Sequence, residues 1–329
     1  MRCFFMQIQD IFRFYEKDLR QAEDIMERHL QSDIPLIPDI VRHLVGGGGK
    51  RFRPLLVLAS SALCGYHGDH RYPLAAAIEF IHTATLLHDD VVDQAHIRRG
   101  RISANNIWGN AASVLVGDFL FSQAFRLMTA DGNLLVMKLL STTTNRMSEG
   151  EAFQLTRSGD IGLTEAEYLS IIERKTAILI SSACAIGTIL GGALDHEIER
   201  LSAFGNKVGM AFQITDDTLD YMAREEEFGK AIGKDLNEGK VTLPLIRTLQ
   251  QCSQEEKILI EKIFQERLLN DTMLEKIMTL IGHYDGIPYS LQRAQQYIKE
   301  GRDTLSGFGD SDEKKALLCI ADFVVERQT

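Results

Sequence analysis

Residues 74–93 read LAAAIEFIHTATLLHDDVVD, and the two parts of this stretch carry different information. From Leu74 to His88 apolar side chains recur at spacings of three and four, the period of an α-helix. The run closes on Asp89, Asp90 and Asp93. Asp89 and Asp93 stand at i and i+4, so a continuing helix puts them on one face, about 6 Å apart along its axis. Carboxylates that close repel one another and are normally held together by cations. Oxygen-only ligands of this kind suit Mg2+, which keeps several waters and shares substrate phosphates. The pattern returns as Asp216-Asp217-Thr218-Leu219-Asp220 after the apolar run from Met210. Two such clusters facing each other would hold a diphosphate through bridging metals. A solvated acidic helix face is the plainer reading of one copy. Two copies, each embedded in apolar helix, argue against it, because charge in apolar surroundings is costly unless paired or metal-bound.

The periodicity extends outward. The six prolines are Pro35, Pro38, Pro54, Pro73, Pro244 and Pro288, so residues 74–243 contain none, which suits long helices. Ser113 to Met128 and Leu134 to Phe153 repeat the helical spacing, and alternating β-branched strands are not evident. Breaks are expected at Arg98-Arg-Gly-Arg, Thr129-Ala-Asp-Gly, Ser158-Gly-Asp-Ile-Gly, Gly191-Gly and Glu225 to Gly239. Thr176 to Ala193 is apolar on more than one face, as a helix surrounded by others would be. The expectation is one all-α domain over residues 1–329, without a linker.

Composition excludes several classes. A net charge of −10 argues against a nucleic-acid partner, which would demand a basic stripe. The five cysteines are scattered without CxxC spacing, and so read as reduced thiols rather than disulfides or a zinc site. Asp10 and Arg13 interrupt the short apolar patch at the N-terminus too soon for a signal peptide. No uninterrupted apolar run reaches the length of a transmembrane segment. A soluble, cytoplasmic protein is expected.

A basic constellation precedes the first acidic cluster: Gly46-Gly-Gly-Gly-Lys50-Arg51-Phe52-Arg53-Pro54. Glycines let backbone approach an anion, and the helix start that follows offers free N–H groups. Lys50 and Arg53 would add charge-assisted bonds to phosphate oxygens. The P-loop spacing G-x-x-x-x-G-K-[ST] is absent. Arg98-Arg99-Gly100-Arg101 follows the first acidic cluster, where arginines suit bidentate contacts to diphosphate.

These residues together resemble the trans-polyprenyl diphosphate synthases, nearest the bacterial octaprenyl type. The matching text is GGGGKRFRP, EFIHTATLLHDDVVD, RRG, NAASVLVGDF, EGE, KTA, AFQITDDTLDY and DLNEGKVTLPL, in order over roughly residues 46 to 246. The resemblance implies a large orthogonal all-α bundle of the isoprenoid synthase type around a central cavity. It implies Mg2+, up to three ions per site, and a homodimer. The substrates would be isopentenyl diphosphate and an allylic diphosphate such as farnesyl diphosphate. The product would be a lipid-soluble all-trans polyprenyl diphosphate for quinone side chains. Lys50, Arg53, His82 and Arg99 would grip the isopentenyl diphosphate. Asp89 and Asp93, assisted by Asp90, would hold metal on the allylic diphosphate, which Arg98 contacts directly. Asp216 would be a further metal ligand, supported by Asp217 and Asp220. Lys175, Thr176 and Gln213 would line the allylic site, and Lys230 and Lys240 would reach the same diphosphate.

Chain length, on the same resemblance, depends on residues about one turn below the first aspartates. Ala84 and Thr85 are small there, which leaves a tunnel open past the farnesyl and geranylgeranyl stages. The neighbouring stripe Asp118, Ser122, Phe125, Met128 runs away from the acidic end, with Phe125 or Met128 as its floor. An octaprenyl product is expected, with geranylgeranyl or solanesyl diphosphate as the alternatives. A class I terpene cyclase would share the first motif but needs no second-substrate loop. A non-catalytic subunit of a two-component synthase typically lacks the aspartates. A metal-dependent binding protein would not explain the basic loop.

Overall fold

The computed structural model describes residues 7–45, 51–98, 100–222, 233–265 and 270–327. The fold is all-α, as expected. In chain order the helices begin with α1 (Ile8–Phe14), α2 (Glu16–His29), α3 (Leu36–Val45), α4 (Phe52–Leu63) and α5 (Arg71–Val92). A two-residue hairpin, β1 (Ile97–Arg98) with β2 (Arg101–Ile102), precedes α6 (Ala104–Trp108), α7 (Asn110–Asp131) and α8 (Leu134–Thr156). Then come α9 (Glu165–Ile172), a π-helical turn (Glu173–Ala177), α10 (Ile178–Leu190) and α11 (Asp195–Leu219). The chain continues with α12 (Lys234–Asn237), α13 (Leu243–Gln251), α14 (Gln254–Gln265), α15 (Asp271–His283), α16 (Gly286–Thr304) and α17 (Asp312–Glu326).

Local chemistry sets these ends. Thr164 and Glu167 close a reciprocal capping box at the start of α9. The Asn270 side chain accepts from the Met273 N–H to cap α15. Pro244 sits in the first turn of α13, where its missing N–H costs nothing. The breaks expected at Ser158 to Gly162 and Gly191-Gly192 fall between helices, and Arg98 pairs with Arg101 in the hairpin. Of Thr129-Ala-Asp-Gly132 only Gly132 lies beyond α7, and Glu225 to Gly239 lies partly outside the described residues and otherwise holds α12.

The chain forms two compact units. The first comprises Met1–Thr144, Leu179–Gly205 and Thr304–Ile320; the second comprises Asn145–Ile178, Asn206–Asp303 and Ala321–Thr329. In the first unit α5 is the hub and packs chiefly on α7, with α2 and α4 beside it. Leu74, Ile78, Ile81, Ala84 and Leu87 of α5 have no solvent exposure. The α4 run from Leu55 to Ala59 is equally enclosed, the mark of a helix buried on all sides. The same is true of Ile180, Ala183, Cys184 and Ile186 in α10, as the apolar run from Thr176 implied. By length and composition alone, α7 is apolar enough to cross a membrane. Here its Val116, Leu120, Ala124 and Leu127 are buried. The second unit builds its core from Tyr168, Ile171, Val208, Ile214, Leu245, Ile246, Ile277 and Ile281.

Candidate active site

Both acidic clusters straddle the C-terminal end of a helix. Asp89 and Asp90 lie in the last turn of α5 and Asp93 is its cap, its N–H bonded to the Asp89 carbonyl at 2.8 Å. Asp216 and Asp217 lie in the last turn of α11, and Asp220 follows it, its N–H 3.3 Å from the Asp216 carbonyl. Helix C-termini carry the negative end of the backbone dipole, so a carboxylate there is penalised unless a cation offsets it.

Within each cluster the aspartates divide. Asp89 and Asp93 are half-buried, whereas Asp90 has no exposure and accepts from Arg98 Nε at 2.6 Å. Asn105 Nδ2 donates to the Asp90 backbone carbonyl at 3.0 Å. Asp90 therefore ties the hairpin to α5, and Arg98 is anchored by it. In the second cluster the Asp216 side chain is 59% exposed, with Arg327 Nη2 at 3.3 Å. Asp217 is buried, accepting from Tyr168 OH and from Gln213 Nε2, both at 2.6 Å. Burial pushes its carboxyl well above the usual carboxylate range, while those two hydrogen bonds pull the other way. Asp220 accepts the Asp235 N–H at 3.0 Å.

One cavity lies beside the first cluster. Its wall includes His43, Arg51, Glu79, His82, Arg98 and Arg101, a predominantly basic set that suits a polyanion. The expected residues His82 and Arg98 are brought together there, while Arg53 is not among the lining side chains. Arg51 lines the cavity with them. It caps α4 in the left-handed conformation, φ 45°, a strained choice for a side-chain-bearing residue. Its guanidinium donates to Glu23 at 2.9 Å and Glu79 at 3.3 Å, which fixes it in place. Lys50, Arg99 and Lys230 lie outside the described residues.

In the second unit, Lys175 and Thr176 stand in the π-helical turn, where one extra residue per turn re-aims side chains; such turns often mark functional sites. Lys175 Nζ pairs with Glu151 at 2.7 Å, and Thr176 Oγ1 donates to Gln213 Oε1 at 2.8 Å. Lys240 Nζ pairs with Glu238 at 2.6 Å and lies near enough to Asp217 to favour its charged form. Arg327 stacks on Phe212, 4.0 Å from the ring centroid, and donates to its carbonyl at 2.9 Å.

Two glycines let helices close on the π turn. A Cβ on Gly150 of α8 would stand 2.7 Å from Arg174 Cβ, and one on Gly209 of α11 would stand 2.5 Å from Ala177 Cα. Backbone cannot yield cheaply, so Gly209→Ala is expected to cost about 1–3 kcal/mol. Urea denaturation checks this; an unchanged midpoint would show that α11 is free to shift.

The tunnel residues are placed unevenly. Ala84 has no exposure, and Thr85 donates its hydroxyl to the His82 carbonyl at 2.8 Å. Of the expected stripe on α7, Asp118, Ser122 and Phe125 are exposed in the single chain, Phe125 at 46%. Only Met128, at 3%, is interior, so it remains the floor candidate within one chain.

Comparisons with known proteins converge on one family. Residues 34–281 match the family model for polyprenyl synthetase. The octaprenyl diphosphate synthase of Escherichia coli is 38% identical over 322 residues, covering 98% of this chain and 99% of its own. The geranyl-diphosphate-specific all-trans-nonaprenyl-diphosphate synthase of Rhodobacter capsulatus is 36% identical over 320 residues, covering 97% and 98%. The crystal structure of a Caulobacter crescentus polyprenyl synthase, complexed with calcium and isoprenyl diphosphate, superposes with a TM-score of 0.95 at 39% identity, covering 99% of each chain. This chain belongs to the polyprenyl synthetase family, and it is an enzyme that transfers prenyl groups between isoprenoid diphosphates.

Proposed function

We propose that this enzyme is Mg2+-dependent and adds isopentenyl diphosphate repeatedly to farnesyl diphosphate, releasing octaprenyl diphosphate for quinone side chains. The observation that carries this reading is the pairing of chemistries: carboxylate triplets at two helix C-termini, and a basic cavity beside the first of them. The donor set fits Mg2+. It is all carboxylate, as suits an ion that shares waters and substrate phosphates, and among the described residues no three His, Cys, Asp or Glu side chains are grouped to hold a metal ion by themselves. Calcium and isoprenyl diphosphate in the Caulobacter crescentus relative support the same pairing.

Mg2+ held by Asp89, Asp93 and Asp216 would neutralise charge developing on the allylic diphosphate. Arg98, fixed by Asp90, adds a positioned cation, which lowers the barrier because it need not reorganise. The allylic C–O bond breaks and the diphosphate leaves with the electron pair. Oxygen dipoles of Thr176 and Gln213 would stabilise the resulting cation, and apolar surroundings would keep water from it. The double bond of isopentenyl diphosphate, gripped by His82 and the basic loop, forms the new C–C bond. The departed diphosphate accepts the proton lost in re-forming a double bond.

Incubating the protein with farnesyl and isopentenyl diphosphates plus Mg2+, and resolving product length, tests this. An octaprenyl product is expected; a cyclised hydrocarbon would overturn the reading. The two diphosphates also separate genetically. Arg53→Ala should raise KM for isopentenyl diphosphate about ten- to a hundredfold more than for the allylic primer, the worth of one charge-assisted contact. Arg98→Ala should do the reverse. It should also lower the melting temperature, because Asp90 is left buried without its guanidinium. Equal KM effects from both variants would show the division to be wrong.

A further inference from the structure

We propose that Tyr168 is a positioning residue for the transfer step, setting through Asp217 the orientation of the Gln213 amide and the Thr176 hydroxyl. This rests on the synthase reading above. Tyr168 lies on α9, 3% exposed, and its phenol donates to Asp217 Oδ2 at 2.6 Å. The other oxygen of Asp217 accepts from Gln213 Nε2 at 2.6 Å, and Gln213 Oε1 accepts from Thr176 Oγ1 at 2.8 Å.

The chain of bonds has a single direction. Both oxygens of Asp217 are taken as acceptors, one by the Tyr168 phenol and one by the Gln213 amino group, so the Gln213 carbonyl is left to face Thr176. Thr176 then spends its one proton on Gln213 and keeps its own lone pairs outward. Oxygen lone pairs stabilise an electron-poor allylic carbon; an amide NH2 in the same place would repel it. A flipped Gln213 is therefore the wrong catalyst with the right composition. Tyr168 holds the carboxylate against turning, since only one oxygen of Asp217 is left for Gln213. At 3% exposure water cannot replace the phenol. Tyr168 touches no reacting atom, and acts only through the two residues that do.

Tyr168→Phe removes the hydroxyl and keeps the ring. It should lower kcat about ten- to a hundredfold while KM for both diphosphates stays within about twofold. The loss should vanish in a Gln213→Leu background, because the two act as one unit. A purely structural tyrosine would instead give losses that multiply in the double variant, and that result overturns the proposal. Asp217→Asn supplies a second arm should Tyr168→Phe fail to fold. Its oxygen stays with Tyr168 and its NH2 faces Gln213, so the amide must invert, and the same kcat loss with retained KM is expected; an unaffected kcat counts against us. Hydrogen exchange of the Gln213 side-chain amide reads the chain without turnover: slow in the parent protein, fast in Tyr168→Phe. Slow exchange in both refutes the positioning role. A parent protein that binds but never elongates refutes the synthase reading instead.

Discussion

Asp89→Ala and Asp216→Ala are each expected to lower kcat about 100- to 1,000-fold while leaving the fold intact. Geometry separates these two from their neighbours. The Asp216 side chain is 59% exposed, with one long contact to Arg327, and Asp89 is half-buried at a helix C-terminus that disfavours anions. Removing Asp216 gives up only a 3.3 Å contact with Arg327, which keeps its bond to the Phe212 carbonyl, so a small change in melting temperature is expected there. Asp90→Ala and Asp217→Ala behave differently, because each removes a buried carboxylate that holds partners: Arg98 in one case, Tyr168 and Gln213 in the other. Those variants should lose stability, by about 3–5 kcal/mol where an ion pair is broken. EDTA should abolish turnover of the parent enzyme. Mg2+ should raise its melting temperature when a diphosphate is present, since only the folded state binds the pair. Undiminished activity in chelator-treated enzyme would end the metal assignment.

The division among the aspartates was not legible in the sequence. Spacing shows that Asp89 and Asp93 share a face, which is a local property. That Asp90 turns inward to Arg98, and Asp217 to Tyr168, depends on segments that meet only in the fold. Arg51 was hidden for the same reason: a basic loop reads as phosphate-binding, and the two carboxylates that hold Arg51 come from α2 and α5. The long helices were legible, because proline placement and apolar period are written along the chain itself. The π turn was not, since one extra residue barely disturbs a period of three and four. On α7, periodicity identifies a face, but nothing local says whether a face with Asp118, Ser122 and Phe125 is covered, and in the single chain it is exposed. Arg327 lay in a region without motifs, yet reaches Asp216 and Phe212.

Ala84→Phe is expected to stop elongation at the farnesyl or geranylgeranyl stage, while the parent enzyme proceeds to octaprenyl diphosphate. A helix rises about 5.4 Å per turn, so Ala84 sits about one turn below Asp89, with Ile81 and Ile78 deeper on α5. All three have no solvent exposure, so a chain growing along this face meets apolar side chains and no water. A phenyl ring at Ala84 occupies that path. Overpacking costs about 1–3 kcal/mol, within the roughly 5–15 kcal/mol by which a typical domain is stable, so the variant should fold. Its first condensation should run at a near-parental rate, because Asp89 and Arg98 are untouched. Met128→Ala tests the other end: 3% exposed on α7, the helix on which α5 chiefly packs, it should lengthen the product by one or more units if it closes the path. Product length by chromatography distinguishes the outcomes. Were Ala84→Phe to yield the parental product at the parental rate, the growing chain would not pass this face of α5, and the proposed chain-length reading would fall with it.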